Sequence, residues 1–291
     1  MPKLDLTRAR RIKTAAGKVS ALKGAGFAWR LPTLTVTDGQ ITPFTRNGVD
    51  YIEVMFRQSG GFTLSADAPV RYSLWSGAAS GGSINKNGHG SGGGGAGWYA
   101  AGADLPAGSY EVTIGAGGVG SDLRGNDGSP SSLSGPLSIT VPGGGGGGSA
   151  SKVSNAPGGP GGNGGGGSGD AGTNWPGGAG DPGYDGGSGR NSATISERAG
   201  GGGGGAGGPG QDAALGAPGA GGPGILLDWI AIPITAGIGG SGSLGTAGGT
   251  SPNMTNACGS HGIYGASSGN GGDGFMAMVV CADEVIVEVA A

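Results

Sequence analysis

Glycine recurs at every third position over long stretches of this chain. The register runs through residues 177–189, 201–210, 216–222, 239–248 and 259–265, and it shifts between these stretches. Seven of the 77 glycines precede Gly77, so the other 70 fall in the last 215 residues, about one in three. A collagen helix needs an unbroken register because only glycine fits at its axis. The resets, together with only 17 prolines, exclude collagen.

The same repeat is typical of polyglycine II, an extended left-handed helix with three residues per turn and no internal hydrogen bonds. Its amides and carbonyls point outward and need partners on neighbouring helices. Glycine lets those backbones approach closely, although ordering it costs more backbone entropy than ordering other residues. The sequence therefore predicts short polyglycine helices that bond to one another and depend on apolar flanks for stability.

Alternating apolar residues predict β-strands on both sides of the glycine region. A small antiparallel unit with a turn at Asp38-Gly39 is predicted between Leu31 and Trp75. Further strands, expected to frame the polyglycine helices, are predicted at 109–114, 137–141, 225–235 and 275–289. The predicted fold class is mainly β with packed polyglycine II-type helices. Its parts are an N-terminal arm at 1–30, a small antiparallel β domain at 31–76, and a glycine-rich sandwich framed by strands at 77–291, with a C-terminal strand at 275–289.

Positive charge is concentrated at the N-terminus. Up to Arg30 there are eight basic residues against one acid, whereas the remainder has eight basic and eighteen acidic residues. Such an arm suits docking to an acidic protein partner, and nucleic-acid binding or a solvated tail are the alternatives. No aromatic stacking platform accompanies the arm, so nucleic acid is not the expected partner. The candidate docking residues are Arg8, Arg10, Arg11, Lys13 and Lys18.

The sequence has no pattern that directs it out of the cell or into a bilayer. The N-terminus lacks the apolar core of a signal peptide. The most apolar run, 225–238, is interrupted by Asp228 and Pro233 and is too short to span a membrane. We therefore expect synthesis in a cytosol and no membrane insertion.

Residue patterns for catalysis are weak. Gly115–Gly120 matches a dinucleotide fingerprint, but a turn-like segment follows it where that site needs a helix. His89 and His261 are far apart in the sequence, and Cys258 with His261 supplies two metal ligands where zinc needs four. No serine lies in a nucleophile elbow. We expect no enzymatic activity, cofactor or metal, and the pairing of Cys258 with Cys281 stays open.

Loops that interrupt the glycine runs carry isolated aromatic and polar side chains. Such residues suit contact with sugars or membrane-protein loops. The receptor-contact candidates are Asn174, Trp175, Tyr184, Arg190, Asn253, Met254, His261 and Tyr264. Alternatively, Trp175 and Tyr184 cap the ends of the polyglycine layer. Trp98, Tyr99 and Trp229 border apolar segments, and we expect them to be buried.

Several of these segments, in order, resemble the glycine-rich domain of bacteriophage tail proteins. They are Gly92-Gly-Gly-Gly-Ala-Gly97, Leu105 through Gly118 with its Ser-Tyr-Glu-Val-Thr-Ile strand, Gly125-Asn-Asp-Gly-Ser, the six-glycine tracts 143–148 and 200–205, and Gly269 through Val280. The resemblance covers roughly residues 88–280, and the polyglycine sandwich of certain long-tail-fibre adhesins is a related architecture. The basic arm and the β unit before it depart from the pattern.

The resemblance implies a structural and adhesive component of the virion tail, at the tail tip or in a tail fibre. It implies other tail proteins as partners at the N-terminus, a homo-oligomer with a trimer favoured, and a host surface protein or polysaccharide as receptor. The alternatives are a structural joint without receptor binding, a nucleic-acid-binding protein, and a free-standing antifreeze-type bundle, which would need one flat, repetitive face of small residues.

Overall fold

The computed structural model describes residues 13–14, 31–84, 89–150, 156–246, 254–264 and 267–290. Over these residues the protein is mainly β, as the sequence predicts, and its helical structure is limited to a 3₁₀ turn at Ile195–Glu197. In the same part of the chain, no helix is long and apolar enough to cross a membrane.

Sixteen strands are assigned within the described residues. In chain order they are β1 (Lys13–Thr14), β2 (Thr33–Thr37), β3 (Gln40–Arg46), β4 (Val49–Phe56), β5 (Gly60–Leu64), β6 (Arg71–Trp75), β7 (Ser83–Ile84), β8 (Tyr99–Gly102), β9 (Gly108–Thr113), β10 (Ser131–Ser134), β11 (Ile139–Val141), β12 (Ile225–Leu227), β13 (Ile234–Ala236), β14 (Ile263–Tyr264), β15 (Phe275–Cys281) and β16 (Ile286–Val289). The larger sheet has the order β1-β16-β2-β5-β9-β10-β11, and the smaller has the order β3-β4-β15-β6-β8. β12 pairs with β13, and β7 pairs with β14.

Two turns set the path of the first strands. The predicted turn at Asp38-Gly39 is present, and it carries the chain from β2 in the larger sheet to β3 in the smaller one. Asn47 and Gly48 join β3 to β4 with φ angles of 52° and 79°. Positive φ at both positions is typical of a type I′ hairpin, in which Asn-Gly is a favoured pair.

Strand β15 explains the unbroken apolar run near the C-terminus. Met276, Met278 and Val280 pack into the core between the two sheets. Phe275, Ala277 and Val279 face the other way, in a second core with Trp75 and the β12–β13 hairpin. Because both faces of this strand are buried, no alternation with polar residues is needed.

The two sheets draw strands from both sides of the predicted boundary at residue 76. β15 pairs with β4 on one side and β6 on the other, and β16 pairs with β2. The stretch predicted as one strand at 275–289 is two strands in different sheets, separated by a turn. Strands of residues 31–76 therefore form hydrogen bonds with strands of the glycine-rich part. That residues 31–76 form a separate domain stays a prediction.

The glycine tracts bond to one another with a three-residue period. In tract 91–97, the amides of Gly92 and Gly95 donate to carbonyls in tract 143–148, at 2.9 Å each. The amides one residue further along, of Gly93 and Ala96, donate to tract 200–205. The amides that follow these donate to residues 257–260. One tract therefore has bonding partners in three directions, which is the arrangement expected of polyglycine II. This confirms the packed polyglycine helices that the sequence predicts.

Together the tracts form a hexagonal array in stacked layers. Read in the same direction, the first layer contains tracts 268–274, 257–262, 238–243 and 217–223, and the second contains 115–120, 76–83, 91–97, 199–205 and 208–214. The third contains 123–129, 143–149, 163–168 and 184–190, and the last contains 156–161 and 175–180. Tracts 76–83, 91–97, 163–168 and 199–205 are enclosed by other tracts on every side. In these four, glycine is interrupted only by alanine, serine and Asn163.

The close approach of the tracts excludes side chains at the glycine positions. A Cβ atom on Gly203 would lie 2.1 Å from the carbonyl oxygen of Gly94, and one on Gly93 would lie 2.0 Å from that of Gly240. Atoms at these distances overlap, so alanine cannot be accommodated without moving a tract. Gly172, in contrast, has nothing within 4 Å of this position.

Buried serines and one asparagine complete the bonding inside the array. The hydroxyl of Ser91 contacts that of Ser243 at 2.8 Å and donates to the carbonyl of Ile263 at 2.7 Å. Asn163 accepts a bond from the amide of Tyr184 at 3.0 Å and donates to the carbonyl of Ala96 at 3.2 Å. These small polar side chains satisfy main-chain groups that are cut off from water.

The cysteine question left open by the sequence is answered by the geometry. Cys258 and Cys281 are both free thiols. Cys258 is buried, and its Sγ atom lies 3.4 Å from the amide of Ile238. Burial raises the pKa of the Cys258 thiol.

Candidate functional site

The polyglycine array has two different ends. At the first, which we call the base, the tracts run into the β-sheets, where Ser76 bonds to Trp98 and Gly274 bonds to Gly115. The predicted strands therefore frame the tracts at this end. At the opposite end, which we call the tip, the tracts are joined by loops. The described tip segments are 83–84, 89–91, 120–123, 149–150, 156, 168–175, 190–199, 214–217, 243–246, 261–264 and 267–268.

A turn built on Asp170 holds the first tip loop. Its carboxylate accepts bonds from the amides of Gly172 at 2.7 Å and Thr173 at 2.6 Å, and from the indole N–H of Trp175 at 2.8 Å. Partial burial alone would raise the pKa of Asp170, but these bonds and the nearby His89 lower it below its ordinary value. The carboxylate is therefore ionised at neutral pH, and the half-buried Trp175 has its indole nitrogen engaged within the loop.

The second tip loop is fastened to the first. The side-chain oxygen of Asn174 accepts a bond from the amide of Asn191 at 2.7 Å. The neighbouring Arg190 is exposed, while its main chain bonds to Ala199 in both directions, at 2.7 and 3.1 Å. Asn174, Trp175 and Arg190, three of the predicted receptor-contact residues, thus lie on two adjoining loops.

Arg198 anchors this second loop from inside. Only 8% of the residue is exposed. Its guanidinium Nε donates to the carbonyl of Ser192 at 2.8 Å, and the hydroxyl of Ser192 donates to the carboxylate of Glu197 at 2.7 Å. Sequence reasoning missed Arg198 because nothing in the pattern distinguishes a buried arginine from an exposed one between glycine tracts.

His89 lies between these loops and was also missed as a functional candidate. Burial is the larger cause that lowers its pKa, and the positive charge of Arg198 adds to it, while Asp170 has the opposite effect. Within the described part of the chain, its Nδ1 atom is buried without a hydrogen-bond partner. His89 is therefore neutral at pH 7, and Arg198 and Asp170 are the charged groups that act on it.

Two further receptor-contact candidates lie at the same end. His261 Nδ1 contacts the hydroxyl of Ser241 at 2.8 Å and the amide of Ser241 at 3.1 Å, and burial lowers the pKa of His261. Tyr264 belongs to β14, where its main chain pairs with that of Ile84. Both residues therefore lie within the tip segments.

Two of the remaining candidates are described, and they are not at the tip. Tyr184, 41% exposed, lies at the base, where its ring meets the edge of Trp98 at 6.4 Å. Met254 is half-buried, and its amide donates to the carbonyl of Asn270 at 3.1 Å. Asn253 lies outside the described residues. The seven described candidates are therefore dispersed, and the common role of all eight in receptor contact stays a prediction.

The docking candidates fall almost entirely outside the described residues. Arg8, Arg10, Arg11 and Lys18 lie there. Lys13 belongs to β1, whose main chain pairs in parallel with β16, opposite Glu288. This places one point of the basic arm at an edge of the larger sheet, in the β part of the molecule.

A shallow groove runs over the smaller sheet, and no motif pointed to it. Arg71 lies 4.7 Å above the ring of Trp229, and Phe44 stacks on Tyr51 at 5.5 Å. The groove has a volume of about 380 Å³ and is also lined by Arg46, Asp104, Cys281 and Glu284. The exposed face of Trp229 is thus partly covered by Arg71. The expectation that Trp98, Tyr99 and Trp229 are buried is wrong, because all three are half-buried. Tyr99 and Trp229 pack against the second core from its margin.

Comparison with known proteins agrees with this architecture. A family model described as a glycine-rich domain matches residues 58–281, which is most of the chain. No curated protein matches the sequence.

Proposed function

The chain belongs to the glycine-rich domain family, and from this premise we propose that it is a non-enzymatic structural and adhesive component of a bacteriophage tail, at the tail tip or in a tail fibre. In this proposal the N-terminal arm docks to other tail proteins, and the loops at the tip contact a protein or polysaccharide of the host surface. The location in a virion tail derives from the resemblance of the glycine-rich segments.

The observation that supports this proposal is the grouping of the loops at one end of a cross-bonded array. Tracts that bond to neighbours on every side cannot shift singly, so loops that join them are held in fixed relative positions. Binding then loses little conformational entropy, which favours affinity. Exposed Arg190 and Asn174 and half-buried Trp175 supply the polar and aromatic groups that recognition of sugars or loops needs.

The two ends of the molecule suit two different contacts. Lys13 pairs with β16 in the larger sheet, so this part of the arm joins the protein through its β part. The receptor-contact loops lie at the tip, beyond the tracts. Docking near the sheets would leave the tip free to face a host cell.

Two measurements test the proposal in sequence. Immunogold labelling of the assembled particles is expected to mark the tail, and absence of the protein from the particle would reject the proposal. Binding of the labelled full-length chain to host cells is then compared between the wild type, Trp175→Ala with Arg190→Ala, and Tyr184→Ala as the control at the base. We expect the tip pair to bind about tenfold more weakly and the control to bind as the wild type does.

A structural joint without receptor binding is the second candidate. The bond from the Trp175 indole to Asp170 favours it, because this side chain already has a role inside its own loop. If the protein is a structural joint, it would be present in the tail, but neither the tip pair nor Tyr184→Ala would change its binding to host cells. Labelling and binding together therefore separate the two candidates.

A further inference from the structure

The groove over the smaller sheet has a floor of small side chains between larger ones. The floor is β15, which lies between β4 and β6 and contributes Val279 and Cys281. Cys281 lies opposite Tyr51 on β4, and Val279 lies opposite Arg71 on β6. Residues paired in this way, two apart along a strand, share one face of the sheet. The groove therefore runs over β15, with Tyr51 on one side and Arg71 on the other.

Charged side chains fix Trp229 at the rim of this groove. The guanidinium of Arg46 donates to the carbonyls of Asp228 and Ile230, on both sides of Trp229. The carboxylate of Glu53, only 7% exposed, accepts from the amide that follows Ile230 at 2.7 Å. The hairpin loop that carries the indole is thus fastened to β3 and β4. An indole held in this way loses little conformational entropy when a ligand packs against it.

The charges around the groove are balanced. Arg46 and Arg71 supply two positive charges, and Asp104 and Glu284 supply two negative charges. In the part of the chain that the structure describes, none of these four side chains is in an ion pair. Arg71 and both carboxylates are exposed. The groove therefore offers hydrogen-bond donors and acceptors together and favours neither an anionic nor a cationic ligand.

Three aromatic rings supply the apolar part of the groove. Phe44, Tyr51 and Trp229 are half-buried, so part of each ring meets solvent. Arg46 lies over the ring of Phe44 at 5.6 Å, and Arg71 lies over that of Trp229 at 4.7 Å. A cationic ligand would have to displace these guanidinium groups from the ring faces. A quaternary ammonium group is therefore a poor fit.

We propose that this groove binds a neutral oligosaccharide. A sugar ring has C–H groups that pack against aromatic rings, and its hydroxyls each donate and accept hydrogen bonds. The half-buried rings match the first feature, and Arg71, Asp104 and Glu284 match the second. The volume of about 380 Å³ lies in the lower part of the range of small-molecule sites, about 300–1,000 Å³. The inference concerns the β part of the molecule and does not rest on a tail location or on the tip loops.

The setting of the groove favours a sugar chain over an extended peptide. β15 is paired on both sides, so a peptide lying over it would find no sheet edge with which to pair. A second hollow of about 230 Å³ is also lined by Arg71 and Trp229, together with Tyr99 and Asp228. Each hollow thus has aromatic rings and a carboxylate. A chain of sugar rings can continue from one hollow to the other past Trp229.

Calorimetric titration of the full chain tests the inference, with maltose, cellobiose, lactose and di-N-acetylchitobiose as probes at up to about 10 mM. We expect at least one of them to bind with a dissociation constant of about 1 mM or lower. The bound sugar should slow modification of Cys281 by a thiol reagent, because this thiol lies in the floor of the groove. Trp229→Ala and Glu284→Ala should each weaken binding at least about tenfold. Asp283→Ala is the matched control, since Asp283 is an exposed carboxylate beside Glu284 that does not line the groove. It should bind as the wild type does.

Three outcomes would overturn the inference. The first is that none of the four disaccharides binds, and the second is binding that neither protects Cys281 nor responds to Glu284→Ala. The third is tighter binding of an acidic disaccharide or of a mixture of short peptides, which would contradict the balance of charge or the lack of a sheet edge. If Trp229→Ala unfolds, as judged by near-ultraviolet circular dichroism, Glu284→Ala decides the result because its side chain is exposed. The receptor test at the tip uses other residues, so either proposal can fail without the other.

Discussion

Substitution of Gly203 by alanine tests whether the tracts are packed main chain against main chain. Gly203 belongs to the enclosed tract 199–205 and faces the enclosed tract 91–97. Neither tract can move into solvent. The added Cβ would lie 2.1 Å from the carbonyl oxygen of Gly94. An ordinary contact is at least 3.4 Å, so the two tracts would have to separate by about 1.3 Å.

This separation sets the magnitude of the effect. The bonds from Gly93 to Gly201 and from Ala96 to Gly204, at 3.0 and 2.9 Å, join the same two tracts and would be stretched beyond hydrogen-bond range. Each bond contributes about 1 kcal/mol, and overpacking of a dense interior adds about 1–3 kcal/mol. Alanine also reduces the conformational entropy of the unfolded chain, which offsets about 0.5–1 kcal/mol of this destabilisation. We therefore expect Gly203→Ala to destabilise the protein by about 2–4 kcal/mol.

Equilibrium unfolding in urea, followed by circular dichroism, measures this difference. Gly172→Ala is the matched control because nothing lies within 4 Å of its Cβ position. It should change the free energy of unfolding by less than about 1 kcal/mol. If Gly203→Ala is no more destabilising than Gly172→Ala, the close packing of these tracts is refuted.

Four further outcomes follow from the described contacts. Asn163→Ala should lower the free energy of unfolding by about 1–3 kcal/mol, because it leaves main-chain groups buried without partners, and urea unfolding measures this. The lowered pKa of Asp170 contributes stability that is fully present above the ordinary aspartate pKa and is lost as pH falls through the folded value. Asp170→Asn should therefore be less stable than the wild type at pH 7, and this difference in stability should shrink as pH falls below the ordinary value of 3.8. In an NMR titration, His89 should protonate below its ordinary pKa of 6.5, and a midpoint at or above 6.5 would contradict its burial beside Arg198. In native protein, a thiol reagent should modify half-buried Cys281 well before buried Cys258, and equal rates would contradict the burial.

The sequence predicted those features of the fold that depend on local chemistry. The three-residue glycine register led to polyglycine helices because few other structures require it, and alternation at Ile52, Val54 and Phe56 located β4. The Asp38-Gly39 turn followed from residue type. In each case the signal lies within a few neighbouring residues.

Features that depend on long-range order could not be obtained in this way. Glycine tracts are nearly identical in sequence, so nothing local determines which tract meets which, and hence which loops share an end. Tyr184 and Trp175 look alike as aromatic residues in glycine loops, yet they lie at opposite ends of the array. Likewise, the apolar run of 275–281 shows that β15 is buried, but its place between β4 and β6 depends on strands more than 200 residues away in sequence.

Hydrogen–deuterium exchange of the glycine amides, resolved by NMR, tests the central claim most directly. Amides of the enclosed tract 91–97 donate to three different neighbouring tracts, so they should open only when the array unfolds. We expect their exchange to be slower than that of a free chain by a factor of at least about 10³, and much slower than exchange at Gly172 in the tip loop. Exchange of the 91–97 amides at the rate of an unstructured chain would contradict a fold held together by bonds between polyglycine backbones.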